Sequence, residues 1–220
     1  GFSTQVLILP QRQTALVAKQ AACLDVLSGG RFRFGIGIGW NEAEYISLNE
    51  NFKNRGRRSV EQIEVMKALW SNQHATFDGK WHHLDDLGIN PLPLSRSIPL
   101  WFGGHQDATL QRIAKYGDGW IMIAWPPGDE ALLHFETLRN YVHKEGRNAE
   151  DVGIEVWVSA SGTPDDRREE PDFWKKAGVS HVCLNNTFSR YQHTRIQGNT
   201  LEAHMEAMTL YRDSVSDLVK

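Results

Sequence analysis

Short apolar runs and longer amphipathic stretches alternate along the whole chain. Apolar runs bounded by glycine, proline and polar residues predict strands, and apolar positions repeated every three or four residues predict helices. Strands are predicted at residues 4–9, 32–39, 99–102, 120–123, 154–158 and 181–184. Helices are predicted at residues 15–27, 57–70, 107–116, 129–144, 169–177 and 200–219, with a short one beginning at Asn41.

The predicted elements form six strand-then-helix units in a single domain that spans residues 1–220. Residues 71–98 are rich in histidine, aspartate and proline and are interpreted as a hairpin and loop inserted between units. Strict alternation favours a parallel sheet covered by helices, either an open sheet or a barrel. The pattern does not choose between these two, but in both the functional residues lie at the carboxyl ends of the strands.

The first helix carries an apolar stripe that is predicted to face the core, formed by Leu16, Cys23, Leu24 and Leu27. Near the other end of the chain, the charged run "PDDRREEPD", residues 164–172, is interpreted as a solvated loop that leads into a helix.

The second strand contains three glycines at alternate positions within "RFRFGIGIGWN". Because alternate residues of a strand point to opposite faces, Gly35, Gly37 and Gly39 share one nearly bare face. Glycine weakens a strand interior, so three on one face require a reason. Two explanations stay open: the glycines relieve crowding, or a flat ligand rests against them. The spacing G-x-G-x-G, with Trp40 next, does not match the G-x-G-x-x-G dinucleotide fingerprint.

A second strand end, "PLWFGGHQDATLQRIA", runs from a buried strand through Gly103 and Gly104 into a helix. The first turn of a helix exposes backbone N–H groups, which favour anions and phosphate in particular. His105, Gln106 and Thr109 add polar side chains there. The alternative is an ordinary turn in which Asp107 caps the helix.

Composition and charge narrow the classes of partner. The chain has 220 residues, with 24 basic and 27 acidic side chains and no basic stripe. Nucleic acid and anionic membranes are therefore not expected as partners. No apolar run approaches the ~20 residues that span a bilayer. Cys23 and Cys183 lie within apolar runs, as expected for small buried residues of a reducing cytoplasm.

The motif "HHLDD" in the inserted segment is the one candidate for a metal site. Its possible ligands are His82, His83, Asp85 and Asp86. Adjacent histidines of a strand point to opposite faces and cannot easily share one ion. The sequence therefore predicts no metal site. It also assigns no catalytic residue, because the nine histidines form no recognisable triad.

Three blocks of the chain together carry a family resemblance. They are "AKQAACLDVLSGGRFRFGIGIGWNEAEY", "RGRRSVEQIEVMKALW" and "PLWFGGHQDATLQRIAKYGDGW". In order and spacing they resemble the bacterial luciferase-like family of flavin- and F420-dependent oxidoreductases. The resemblance implies an α/β fold of the (β/α)8 TIM-barrel type. It also implies FMN or coenzyme F420 at the carboxyl-terminal mouth of the barrel, and it favours F420 slightly.

The resemblance also implies which residues bind the cofactor. Gln5 and Val6 match a bulge, often with a cis peptide, that supports the cofactor ring. The end of the glycine strand contributes Gly37, Gly39, Trp40 and Asn41, which lie beside the cofactor. The phosphate-binding turn contributes Gly103, Gly104, His105, Gln106 and Thr109. Luciferase has a phosphate-binding arginine where this chain has Ile38, which leaves the phosphate mainly to backbone N–H groups.

The chain opens at what resembles the third strand of that barrel, so six of eight βα units are expected here and two are missing. An exposed sheet edge invites association, which predicts a homodimer or a segment swap. Two functions stay open at this point. The first is two-electron oxidoreductase or monooxygenase chemistry on a small organic substrate. The alternative is a non-catalytic flavoprotein or barrel remnant that binds a ligand or a partner chain without turnover.

Overall fold

The computed structural model describes residues 1–187, 189 and 196–218. These residues form nine strands, seven α-helices and three short 3-10 helices, and strand and helix alternate as predicted. They are arranged in two compact units, residues 1–119 and residues from 120 onward.

The first unit is built around a small parallel sheet. Its elements are β1 (Phe2–Ser3), β2 (Leu7–Ile8), α1 (Thr14–Ser28), β3 (Phe32–Gly37), α2 (Glu42–Ser47), α3 (Arg55–Ser71), β4 (Ala75–Asp78), β5 (His83–Leu87), β6 (Leu100–Gly103) and α4 (Asp107–Tyr116). Strands β1 and β2 pair with one side of β3, and β6 pairs with the other. Strands β4 and β5 form the antiparallel hairpin predicted within residues 71–98.

The large apolar face of β3 is covered by helices, as predicted. The Phe34 ring packs edge-on against Trp70 of α3, with ring centroids 6.4 Å apart. The Trp70 indole in turn donates a hydrogen bond to the Ala18 carbonyl of α1, at 2.9 Å. On the opposite face of the sheet, the Arg33 guanidinium lies over the ring of Trp101, 4.4 Å from its centroid. The two faces of β3 therefore differ as the alternation of the sequence indicates.

The second unit repeats the strand-then-helix pattern. Its elements are β7 (Gly119–Met122), α5 (Asp129–Lys144), β8 (Gly153–Val158), α6 (Pro164–Lys176), β9 (His181–Leu184) and α7 (Leu201–Val215). Strands β8 and β9 pair in parallel, from Glu155 opposite His181 to Val158 opposite Leu184. Helix α7 was predicted to extend to Val219, which lies outside the described residues.

Three local predictions are wrong. The strand predicted at residues 4–9 is divided into β1 and β2, with a cis peptide between Gln5 and Val6 in the segment that separates them. The run "PDDRREEPD" is helical rather than a loop. Thr163 and Asp166 form a capping box, and Pro164 occupies the first helical position, where its missing N–H costs nothing.

The apolar stripe predicted for α1 does not face the core. Leu16 and Leu24 are about half exposed, and Leu27 is 83% exposed. The helix instead buries its small residues, which let its backbone approach α3 closely. These residues are Val17, Ala18, Ala21 and Ala22. An apolar surface is left uncovered on α1 in the first unit.

Candidate functional site

Three neighbouring strands end at one edge of the first unit's sheet. Ile8 of β2 lies opposite Gly37 of β3, and Ile36 lies opposite Phe102 of β6. Because the strands are parallel, the segments that follow β3 and β6 emerge side by side. The site residues predicted from both strand ends are thereby brought to the same edge.

Val6 lies against glycines of two different strands. A Cβ on Gly37 would stand 2.7 Å from Val6 Cγ2, and a Cβ on Gly103 would stand 3.0 Å from Val6 Cγ1. Real Cβ atoms do not approach another atom as closely as 2.7 Å, so position 37 requires glycine while Val6 stays in place, and a side chain at position 103 would require Val6 to shift. The sequence left two explanations for these glycines, and at Gly37 the structure supports close packing. Val6 follows the cis peptide with Gln5, a feature that the resemblance implied.

The end of β3 is held by contacts from several elements. Gly39 has a positive φ of 67°, and a Cβ there would stand 2.9 Å from Ile8 Cγ2. Its carbonyl accepts a hydrogen bond from Arg55 Nε at 3.3 Å. Trp40 follows with 85% of its surface exposed. An exposed indole at a strand end provides a flat apolar surface on which a ring can stack.

Asn41 has a structural partner. Its side-chain oxygen accepts from the Ala43 N–H at 3.2 Å, and its amide donates to Glu44 at 3.2 Å. It therefore caps α2, as predicted from the sequence. A cofactor contact by Asn41 stays a prediction.

The turn between β6 and α4 is exposed from Gly104 to Gln106. Gly104 has a φ of 116°, and a Cβ there would stand 3.3 Å from Thr109 Oγ1. Thr109 is buried behind the turn, while His105 and Gln106 are exposed. Gln106 is the N-cap residue of α4, and its side chain makes no capping hydrogen bond. A small anion can therefore approach the first turn of α4, where N–H groups favour negative charge.

Tyr45 supports the end of β3 from beneath. It is fully buried, and its hydroxyl donates to the Ile38 carbonyl at 2.5 Å. Burial raises the pKa of Tyr45 to about 12, although the nearby charges of Arg55 and Arg58 act to lower it. Tyr45 is therefore a neutral hydrogen-bond donor at physiological pH, and its place in the packing is structural.

The inserted hairpin is anchored by Glu61 of α3. The Glu61 carboxylate accepts backbone N–H groups from Lys80, Trp81 and His82 at 2.7–3.0 Å, and it lies 2.9 Å from His82 Nδ1. The other His82 ring nitrogen lies 2.6 Å from the Thr14 hydroxyl. His83 is instead close to Asp78, at 2.6 Å. Within the described ranges, no group of three or more histidine, cysteine or acidic side chains is placed to hold a metal ion.

The chain matches the sequence model of a known family over nearly its whole length. That model, described as luciferase-like monooxygenase, matches residues 1–214. The chain belongs to the luciferase-like monooxygenase family.

Individual relatives agree with this assignment. An uncharacterized protein of Mycobacterium bovis is 39% identical over 146 residues, which cover 65% of this chain and 50% of that protein. The FMNH2-dependent dimethylsulfone monooxygenase of Pseudomonas putida is 27% identical over 157 residues, which cover 70% of this chain and 43% of that enzyme. The chain spans about half the length of the curated relatives it matches.

Solved structures of luciferase-like enzymes show the same fold. The monooxygenase RslO1 of Streptomyces bottropensis superposes with a TM-score of 0.74 at 14% identity, covering 98% of this chain and 77% of that one. An F420-dependent secondary alcohol dehydrogenase superposes with a TM-score of 0.64 at 22% identity, covering 97% and 63%. The predicted α/β fold of the TIM-barrel type is confirmed. Among the helices that the structure describes, none is long and apolar enough to cross a membrane.

Sequence reasoning missed two arginines, Arg55 at the end of β3 and Arg112 on α4. Arg55 opens α3 and bonds to Gly39, and Arg112 lies on α4 with its Nη2 3.7 Å from the Cβ position of Gly56. The run "KNRGRR" was visible in the sequence as the start of a helix. Nothing in it indicated that one of its arginines lies close to a cation of another helix.

Proposed function

We propose that this chain holds FMN or coenzyme F420 and that the complete protein is an oxidoreductase of the luciferase-like family. The observation that carries the proposal is the open turn at Gly104 beside the end of β3. A flavin or deazaflavin carries a flat ring and a phosphate-bearing side chain. The exposed Trp40 surface and the N-terminus of α4 offer one feature for each of these groups at a single edge of the sheet.

The residues fit such a cofactor on structural grounds. Any side chain at position 104 would be strained, because φ is 116°, and would press on Thr109. The glycine thus keeps the approach to the α4 N–H groups open. Backbone N–H groups at a helix N-terminus bind phosphate. Val6, held between Gly37 and Gly103, provides a fixed apolar surface at the same strand ends.

The chemistry belongs to the cofactor. When bound, reduced FMN supplies two electrons for oxygen activation, and F420 supplies a hydride. The residues of this chain would position the phosphate at the Gly104–Thr109 turn, limit the orientations of the ring beside Trp40 and exclude water where Val6 and Ile8 line the strand ends. Named relatives use either cofactor, since one is described as FMNH2-dependent and another as F420-dependent.

A binding titration with both cofactors tests the proposal. FMN and F420 are each titrated against the 220-residue chain and against the full-length gene product, following flavin or deazaflavin fluorescence. We expect tight binding of one of the two cofactors to the full-length product. Reduction of an organic substrate, or its oxygenation with reduced FMN, then separates an enzyme from a non-catalytic flavoprotein. Binding of neither cofactor by the full-length product would overturn the proposal.

A further inference from the structure

Arg112 is a half-buried cation without a counter-charge. It lies on α4, one turn after Thr109, and none of the described residues makes a hydrogen bond or ion pair with its guanidinium. Burial lowers the pKa of Arg112, and the positive charge of Arg55 lowers it further. A buried charge is ordinarily paired, because removing it from water is costly.

Arg55 is held in place by the backbone around it. Its Nε donates to the Gly39 carbonyl at 3.3 Å, and its Nη1 donates to the Phe52 carbonyl at 2.9 Å. Its guanidinium carbon also lies 3.6 Å from the centroid of the Phe52 ring. These neutral partners fix the position of the Arg55 charge and leave it unneutralised.

The Arg112 side chain reaches the start of α3, the helix that Arg55 opens. Arg112 Nη2 lies 3.7 Å from the Cβ position of Gly56, the residue that follows Arg55. Thr109 and Arg112 are three residues apart and therefore share one face of α4. Arg55 in turn bonds to the Gly39 carbonyl, so this pair of helix positions lies beside the end of β3.

Neighbouring acidic groups have other partners. Glu50 pairs with Arg58, which also donates to the Pro10 carbonyl. Asp107, in the first turn of α4, accepts from Gln111 at 2.7 Å. Arg58 shows how a cation of this region is ordinarily satisfied. Arg112 differs from it in having a second cation, and no acid, as its electrostatic neighbour.

We propose that Arg112 and Arg55 form an anion-binding site that takes a phosphate or carboxylate group from the side chain of the bound cofactor. Arg112 donates N–H groups to the anion, and Arg55 adds a fixed positive charge. An anion between the two guanidiniums would be attracted by both and would offset the repulsion between their positive charges. A guanidinium also donates two parallel hydrogen bonds in its plane, which match the oxygens of a phosphate or carboxylate. The identity of the ligand in this inference rests on the proposed function. The site itself rests on the half-buried guanidinium of Arg112, which is unpaired among the described residues.

Inorganic phosphate provides a test that needs no cofactor. The melting temperatures of the wild type, Arg112→Gln and the matched control Arg57→Gln are compared in phosphate and in chloride at equal ionic strength. Arg57 carries the same charge as Arg112 but is exposed to solvent on α3. We expect phosphate to raise the melting temperature of the wild type and of Arg57→Gln by about 3 °C, and that of Arg112→Gln by under about 1 °C. In chloride, Arg112→Gln should melt no lower than the wild type, because it breaks no hydrogen bond. An equal response of all three proteins, or none in the wild type, would overturn the site.

FMN and riboflavin then separate this inference from the proposed function. We expect Arg112→Gln to weaken FMN binding about 10-fold or more and to leave riboflavin binding unchanged, since riboflavin lacks the phosphate. Equal FMN affinity in the wild type and Arg112→Gln would overturn the inference and leave the proposed function standing. If the wild type binds no cofactor while its phosphate response depends on Arg112, the proposed function fails and the anion site stands.

Discussion

Val6 Cγ2 occupies the place that a side chain of Gly37 would need, 2.7 Å from the position of its Cβ. A Cβ on Gly103, on the neighbouring strand, would also lie close to this side chain, 3.0 Å from Val6 Cγ1. The first prediction follows from this packing. Gly37→Ala should lower the free energy of unfolding by about 1–3 kcal/mol, the usual cost of overpacking.

Denaturant unfolding of Gly37→Ala, Val6→Ala and the double variant checks the relationship. If the clash is the cause, Val6→Ala restores much of the stability that Gly37→Ala loses, so the two changes are strongly non-additive. Additive losses in the double variant would mean that Val6 is not what excludes a side chain at position 37.

The second prediction concerns the dependence of stability on pH. Burial acts to raise the pKa of Glu61, but the hydrogen bonds from His82, Trp81 and Lys80 outweigh it, and the net pKa lies below its ordinary value of 4.5. A carboxylate with a lowered folded pKa stabilises the fold above its unfolded pKa, and the contribution is lost as pH falls through the folded pKa. Glu61→Gln should therefore lose about 1–3 kcal/mol at pH 7, and this deficit should shrink below about pH 4.5.

Glu64→Gln is the matched control on the same helix. Glu64 is exposed and accepts one hydrogen bond, from the Tyr116 hydroxyl at 2.9 Å. Its loss should cost under about 0.5 kcal/mol, as for most surface substitutions. A deficit of Glu61→Gln that is constant from pH 7 to pH 3 would contradict the ionic role of Glu61.

The third prediction concerns self-association through α1. Leu24 and Leu27 are exposed, as is the neighbouring Phe2 of β1. We propose that this apolar surface pairs with a second copy of the chain. Light scattering should give the mass of a dimer or larger species for the wild type and a lower mass for Leu24→Lys with Leu27→Lys. The exposed Leu133 of α5 provides a control, Leu133→Lys, that should keep the wild-type mass. A monomeric wild type at all concentrations would rule this interface out.

The fourth prediction is that the inserted hairpin binds no metal. His82 and His83 have different partners, Glu61 with Thr14 and Asp78 respectively. Zinc should therefore be absent after dialysis of the purified protein, as judged by elemental analysis. Stoichiometric zinc that disappears in the double variant His82→Ala with His83→Ala would contradict this.

The fold was predictable from the sequence where periodicity and caps agree. Helix α4 has the predicted bounds, because its periodic apolar positions and the glycines that precede it indicate the same helix. The break between β1 and β2 was not predictable from pattern, since no glycine or proline marks it between Phe2 and Leu9. The exposed face of α1 was predicted wrongly because the prediction used the hydrophobicity of the residues and not their size. The leucines are more apolar, but only the alanine face lets α1 approach α3.

Part of the candidate site could be predicted from the sequence. Gly104 and Thr109 lie in one contiguous segment, so a strand-to-helix turn could be inferred directly. Arg55 and Arg112 are far apart along the chain and meet only through the packing of α3 against α4. Local pattern carries no information about such a contact.

If the turn at Gly104 holds the cofactor's phosphate, a matched pair of variants should separate binding of the phosphate from binding of the ring. Dissociation constants of FMN and riboflavin are measured for the full-length wild type, Gly104→Leu and Gln106→Ala. We expect the wild type to prefer FMN. Gly104→Leu should reduce that preference by about 10- to 100-fold, as expected for lost hydrogen bonds to a charged group, while Gln106→Ala should change it by under about 3-fold. Equal and small effects of both changes, with the preference for FMN intact, would contradict the account.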